Sequence, residues 1–280
     1  MSKPQSIRAR LYNIAKLHGI DFQIIATRYF HERLLFRLSL SSYNLSFLLK
    51  GGNWIYASQG LVSRPTTDID FLGINISNDQ DYLINVFRDI ISSEVNDGVI
   101  FNKESLRAAP INENNQYQGL RLTVEASLDS IRQKIQIDIG FGDRVTPKPV
   151  QMNFPLLLQE SSALTLWAYS VETVVAEKFH AMVSLGSINS RMKDVFDMYR
   201  IIQSNEISEK TLISAVNNTF DARRTVIDFS AVIFSEEYIN DPQKEKQWRS
   251  FLKKINSDLE APFSKVITKI YTHIKEIIEK

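Results

Sequence analysis

The hydrophobic period of this chain changes once, and that change constrains the fold more than any other feature. Up to about residue 155, alternating and short apolar stretches read as strands set among helices, whereas from Ser170 onward apolar residues recur at helical spacing. The alternation is clearest over 120–128 and 131–139, which Asp129-Ser130 joins as a hairpin. The helical period is clearest over 171–185, 190–203, 209–217 and 265–279. Between the two regimes Pro147, Pro149 and Pro155 punctuate an extended segment around 150–154. The expected class is α+β, with a domain over 1–155 that carries N-terminal helices and a sheet, then an α-helical domain over 156–280. Ten glycines in 280 residues, roughly half the usual ~7%, also argue against a turn-rich sandwich or barrel.

The first half can be read more closely. Residues 17–40 predict one or two helices in which Arg28, Arg33 and Arg37 interleave with Phe30, Leu34, Leu35 and Leu38. Residues 45–49 form a short apolar strand running into Lys50-Gly51-Gly52, a tight turn, followed by a short helix over 53–60. Arg64-Pro65-Thr66-Thr67 is a loop leading to a second strand, 68–72, and 78–94 is again helical. The unit is strand, Gly-Gly, helix, strand.

Several classes of chemistry are excluded or disfavoured. Without cysteine the chain has no disulfide framework, no thiol nucleophile and no Cys-ligated metal, as suits a reducing cytoplasm. The first residues lack the apolar core of an export signal, and no stretch approaches the ~18 apolar residues of a membrane span. A net charge of +1 gives no global attraction to nucleic acid, so any polyanion contact needs a local patch. His18, His31, His180 and His273 show no paired metal spacing, and His180, opposite the apolar stripe of its helix, reads as a surface residue. The serines near 41, 92 and 161 carry no nucleophile motif.

The carboxylates are more informative. Asp68 and Asp70 share one face of their strand while Ile69 and Phe71 take the other, and Asp138 lies opposite Ile135, Ile137 and Ile139. On the plain reading these are solvent-facing residues of amphipathic strands. If the strands are neighbours, however, three like charges converge and need a cation, and an oxygen-only donor set suits Mg²⁺ or Mn²⁺. The upstream Gly51 and Gly52 can present backbone N–H groups and a helix N-terminus to phosphate, flanked by Lys50 and Arg64. In the helical half, Lys178 sits within the stripe Val171, Val174, Val175, Met182 and Leu185, and Asp194 lies on the apolar side of the next helix. Either the two pair to hold their helices together, or they reach a cleft where Lys178 meets phosphate and Asp194 supports it. The last 40 residues hold nine Lys/Arg against six Asp/Glu, a weak basic surface that Arg223 and Arg224 could extend toward RNA.

Five motifs in order resemble a known family. Leu49-Lys50-Gly51-Gly52, Arg64-Pro65-Thr66-Thr67-Asp68-Ile69-Asp70-Phe71, Ile137-Asp138-Ile139-Gly140-Phe141-Gly142-Asp143, Glu172-Thr173-Val174-Val175-Ala176-Glu177-Lys178-Phe179-His180-Ala181 and Lys193-Asp194-Val195-Phe196-Asp197-Met198-Tyr199 resemble the AbiEii/AbiGii nucleotidyltransferase toxins, to which the MenT toxins are related. The resemblance implies a DNA polymerase β-like nucleotidyltransferase domain, with a small mixed sheet, followed by a helical domain. It implies a nucleotide and metal site at Gly51, Gly52, Asp68 and Asp70, with Asp138 on the hairpin strand as a further metal ligand. It assigns catalytic parts to Asp68, Asp70, Lys178 and Asp194, and nucleotide binding to Lys50, Gly51, Gly52, Arg64 and Lys178. The implied reaction is Mg²⁺-dependent transfer of a nucleoside monophosphate from an NTP to an acceptor hydroxyl, RNA in the named toxins and the tRNA 3′ end in MenT cases. The implied setting is a cytoplasmic toxin of an abortive-infection, phage-defence pair whose antitoxin is a DNA-binding repressor encoded nearby. Asn53-Trp54 departs from the small Thr-Ala common in relatives, and the larger side chains are expected to reshape the base or phosphate pocket. Two rival functions use the same residues: a non-catalytic nucleotide- or partner-binding module, and metal-dependent phosphodiester hydrolysis.

Overall fold

The computed structural model describes residues 2–111, 119–158, 163–186, 191–204 and 206–280. Ser161, and Ser190 at the start of an expected helix, lie outside them. The chain divides into two compact units, Met1–Gly142 with Val150–Ala168, and Asp143–Pro149 with Tyr169–Lys280.

The first unit contains a seven-stranded mixed sheet among its described residues. The strands are β1 (Phe47–Lys50), β2 (Asp68–Gly73), β3 (Ile100–Ile111), β4 (Gly119–Leu128), β5 (Ile131–Phe141), β6 (Val150–Phe154) and β7 (Leu164–Ala168), in the spatial order β3-β4-β5-β2-β1-β7-β6. The expected hairpin is present: Leu128 pairs with Ile131, and Asp129 takes the positive φ of 53° that such a two-residue turn requires. Two strands have no clear sequence signal. β3 breaks its alternation with a register shift between Asn102 and Arg107 and carries Pro110 on an edge strand. β7 is five residues long and adds parallel to β1, with Leu49 opposite Ala168. Because β7 also pairs with β6, the division between units falls after Ala168 rather than near Pro155.

Among the described residues four α-helices complete this unit: α1 (Lys3–His18), α2 (Phe22–Leu40), α3 (Gly51–Gln59) and α4 (Gln80–Ile91). Helix α1 begins with a Ser2/Gln5 capping box and ends on Gly19 in the left-handed conformation, and Asp21 then caps α2 through the Gln23 amide. The arginines of α2 are buried rather than solvated. Arg37 forms a two-armed ion pair with Asp97 at 2.7 and 3.1 Å, and Arg33 pairs with Glu32 at 2.6 Å. Arg28 donates to the Ser63 carbonyl at 2.7 Å and lies over the Tyr56 ring at 4.7 Å. Buried cations with such partners fix the loops they bond, here the segments around Ser63 and Asp97.

The second unit is helical: α5 (Val171–Leu185), α6 (Met192–Ser204), α7 (Glu209–Ala222), α8 (Glu236–Ile239), α9 (Pro242–Lys254) and α10 (Phe263–Ile278). Ser170 caps α5 by accepting from the Thr173 amide. Ile267, Ile270, Ile274 and Ile277 of α10 are buried, as their spacing predicts, and Trp248 of α9 is fully enclosed beside Phe263 and Phe196. The segment 143–149 joins this unit through Thr146, whose carbonyl accepts from Thr173 Oγ1 at 2.7 Å and whose hydroxyl accepts from Asn218 at 2.9 Å. Among the described residues no helix is long and apolar enough to cross a membrane.

Candidate nucleotide and metal site

β2 lies between β1 and β5, antiparallel to the first and parallel to the second. That register aligns Lys50, Asp70, Asp138 and Arg121 in one row across β1, β2, β5 and β4. Asp68, two residues from Asp70, shares its face, and Ile69, Phe71, Ile137 and Ile139 fill the buried face. The three carboxylates therefore converge as expected: Asp68, Asp70 and Asp138 each offer an oxygen within 4.8 Å of the others, and all three are half-buried. Closely spaced hard oxygen donors of this kind fit a divalent cation. The two outer members are held by neighbours. Thr66 Oγ1 donates to Asp68 Oδ1 at 2.7 Å, while Arg121 grips Asp138 with two hydrogen bonds, 2.8 Å from Nε and 2.7 Å from Nη2.

The two glycines open helix α3 itself instead of forming a separate turn before it. Gly51 has φ +63°, and a Cβ there would overlap the Asp70 carboxylate; a Cβ on Gly52 would overlap the Thr66 side chain. Thus the positive end of α3 rests directly against the carboxylate strand, where its backbone N–H groups favour anions. Asn53 and Trp54 point into the core at 1% and 3% exposure. Asn53 Nδ2 donates to the Asp68 carbonyl at 2.8 Å and lies 3.2 Å from His31 Nδ1, so its role is to tie α3 and α2 to the start of β2. Burial pushes the His31 pKa down to about 4, so the ring is neutral at pH 7. Arg64, in the loop before β2, donates to the Pro65 carbonyl at 3.3 Å.

Residues 33–269 match the family described as "Nucleotidyl transferase AbiEii toxin, Type IV TA system". The chain belongs to this family. As a member of the AbiEii family it is a nucleotidyltransferase of a toxin–antitoxin system, a membership that implies an NTP substrate and an antitoxin partner. Comparison with the curated proteins gives no match. Two solved structures share the fold of this AbiEii chain. A Helicobacter pylori protein described as a "putative nucleotidyltransferase" aligns with a TM-score of 0.54 at 13% identity, over 93% of this chain and 96% of its own. JHP933 from Helicobacter pylori aligns with a TM-score of 0.50 at 13% identity, over 92% of each chain.

The helical unit of the AbiEii chain holds the second pair read from the sequence. Lys178 Nζ donates to Asp194 Oδ1 at 2.9 Å and also to Asp197 Oδ2 at 2.8 Å, so α5 and α6 are joined by a three-membered ion cluster. Burial pushes the Asp194 carboxyl up, but Lys178, with Lys193 and Arg191 adding to it, holds it below the ordinary aspartate range. His180 does not lie on the surface: it is 8% exposed, with Nε2 3.0 Å from Thr225 Oγ1 and Nδ1 3.2 Å from Arg223 Nη1. Burial and the Arg223 charge push its pKa down to about 4. Arg223 does not extend a basic surface either, since it pairs with Asp143 at 3.2 Å and Glu177 at 3.0 Å.

Sequence reasoning missed Arg121, Thr66, Asn53 and Asp197 as parts of these clusters. The signal for Arg121 was available: a hairpin turning at Asp129-Ser130 sets Arg121 directly opposite Asp138. Asp197 sits one turn from Asp194 on the same helix face, within reach of the same lysine.

Proposed function

We propose that the chain transfers a nucleoside monophosphate from an NTP to a hydroxyl of RNA, with Asp68 and Asp70 as the principal carboxylates of the site. The observation that carries this reading is the convergence of Asp68, Asp70 and Asp138 against the glycine-opened N-terminus of α3. Asp68 and Asp70 would hold a magnesium ion, with Asp138 as the third donor. When bound, it supplies Lewis-acid stabilisation of charge on the phosphoryl oxygens.

In this reading the amides of Gly51 and Gly52, with Lys50 and Arg64, hold the triphosphate and stabilise the leaving group. The acceptor oxygen attacks the α-phosphorus, the bond to the bridging oxygen of the β-phosphate breaks, and pyrophosphate leaves with both electrons of that bond. The hydroxyl proton passes to the carboxylate cluster and on to water. Preorganised amides and cations contribute because they need no rearrangement as charge develops. Thr66 and Arg121 fix the carboxylates in position. Lys178 and Asp194 enter as positioning residues, the ammonium fixed between Asp194 and Asp197. Phage defence, a cytoplasmic location, the tRNA 3′ end as acceptor and a DNA-binding repressor as antitoxin complete the reading, on the strength of the family motifs.

The test is incubation of the purified protein with Mg²⁺, total bacterial RNA and each α-³²P-labelled NTP in turn. Label is expected in RNA for one NTP, and the size of the labelled band identifies the acceptor class. RNA shortened instead of labelled would replace transfer with hydrolysis, and no change in any RNA would remove RNA as acceptor.

A further inference from the structure

A second feature lies wholly within the helical unit. The start of α6 and one side of α9 enclose an open groove of about 670 Å³, lined by Arg191, Met192, Lys193, Lys246, Phe251 and Lys254 among others, with no carboxylate in its lining. Lys246 and Lys254 are exposed, and among the described residues no hydrogen bond or ion pair engages them, whereas Lys193 and Arg191 are attracted by the Asp194 carboxylate. Helix α9 carries five basic residues against one carboxylate, Glu245. That carboxylate is already committed to Arg249 at 2.6 Å and to the Phe263 amide at 2.6 Å. Cations gathered this closely repel one another unless a polyanion supplies the missing charge.

The lining of the groove includes one aromatic ring, Phe251. Phe251 is half-buried and fixed by neighbours, with its ring centroid 6.0 Å from that of Trp248 and 5.8 Å from that of Phe196. A fixed ring costs little to order further and offers a face on which a base can stack. Lys246 and Lys254 are eight residues apart, about 12 Å along the helix axis, so their charges form a line beside the ring. Linear positive charge beside an aromatic platform fits an unpaired nucleotide strand: phosphates along the lysines, a base on Phe251.

We propose that this groove binds a single-stranded segment of RNA. The proposal builds on the reading of RNA as acceptor, yet it is tested by binding alone, with neither NTP nor metal present. The probe is a fluorescein-labelled single-stranded RNA of roughly 12 nucleotides, within ordinary site sizes, titrated with the full chain by anisotropy at several salt concentrations. The double variant Lys246→Gln/Lys254→Gln, at exposed positions, is expected to bind at least tenfold more weakly. Its salt slope should fall by about 1.4, since each single-strand phosphate contact contributes about 0.7. Phe251→Leu is expected to weaken binding with the slope unchanged.

Equal binding by wild type and the double lysine variant would overturn the proposal, as would tighter binding of an acidic polyglutamate peptide than of the RNA, which would assign the groove to a protein partner. If wild type binds RNA through the lysines but never labels it, the transfer reading falls and the groove stands. If it labels RNA while the lysine variants bind unchanged, the groove falls and transfer stands.

Discussion

The two units each contain a cluster of buried or half-buried aspartates, built to opposite ends. In the sheet, Asp68, Asp70 and Asp138 bring three carboxylate oxygens within 4.8 Å of one another. In the helical unit, Asp194 and Asp197 converge on an ammonium that the chain itself supplies, Lys178. Arg121 compensates Asp138 at 2.7 Å, but three carboxylates at one point still favour uptake of a cation from solution, whereas two carboxylates gathered on one lysine already hold theirs. We read the first arrangement as a site and the second as a brace that positions its helices. On that reading the same residue type serves binding where it is half-buried in one unit and packing where it is buried in the other, and what decides is the partner across the strand or helix.

The largest expected effect comes from the sheet cluster. Asp70→Asn should lower transfer at least ~10³-fold, about 4 kcal/mol of transition-state stabilisation, as read by incorporation of labelled NMP. Its unfolding midpoint in metal-free buffer should fall less than that of Lys178→Met, because Asp70 is half-buried and its neighbours Asp68 and Asp138 keep Thr66 and Arg121. The brace should behave in the reverse way. Lys178→Met leaves Asp194 and Asp197 buried without their cation and should cost about 3 kcal/mol in urea unfolding, while Mn²⁺ binding persists; loss of Mn²⁺ binding in a folded Lys178→Met protein would break the comparison.

Acid separates the clusters from the buried histidines. His31 and His180 have folded pKa values of about 4, below the unfolded value near 6.5, so the unfolded chain takes up protons first as pH falls. Their contribution is complete above pH 6.5 and is lost between there and pH 4, on the order of 3 kcal/mol for the fully buried His31. The Asp194 carboxyl, held below its ordinary range, stays charged across that window, and its contribution is lost only at lower pH. Unfolding free energies measured from pH 7 to pH 4 should therefore decline, and less steeply in His31→Gln. A slope unchanged by that substitution would contradict the assignment. The smallest effect is metal linkage: Mg²⁺ at ten times its Kd should stabilise wild type by about 1.4 kcal/mol and leave Asp70→Asn unmoved in a thermal melt.

Much of this was legible in the sequence where a period was regular. The hairpin, the strand–Gly-Gly–helix–strand unit, the common face of Asp68 and Asp70, and helices α5 and α10 all follow from alternation or 3.6-residue spacing. β3 and β7 did not, because one is interrupted by a register shift and the other is a short strand specified by pairing with β1 more than by its own pattern. The arginines of α2 and His180 show the limit of reading exposure from residue type. Arg37 and His180 are buried where a partner far along the chain, Asp97 for Arg37 and Thr225 for His180, satisfies them, and Arg33 beside its neighbour Glu32. The carboxylate site was legible as a face, and its support Arg121 follows from the hairpin register; Thr66 and Asn53 depend on how the loop before β2 and helix α3 pack, which no period records.

The most direct test of the difference between site and brace is to count bound Mn²⁺ by electron paramagnetic resonance in wild type, Asp70→Asn and Asp194→Asn. Wild type and Asp194→Asn should bind the ion alike, and Asp70→Asn should not bind it. Binding retained in Asp70→Asn and lost in folded Asp194→Asn would reverse the roles of the two clusters.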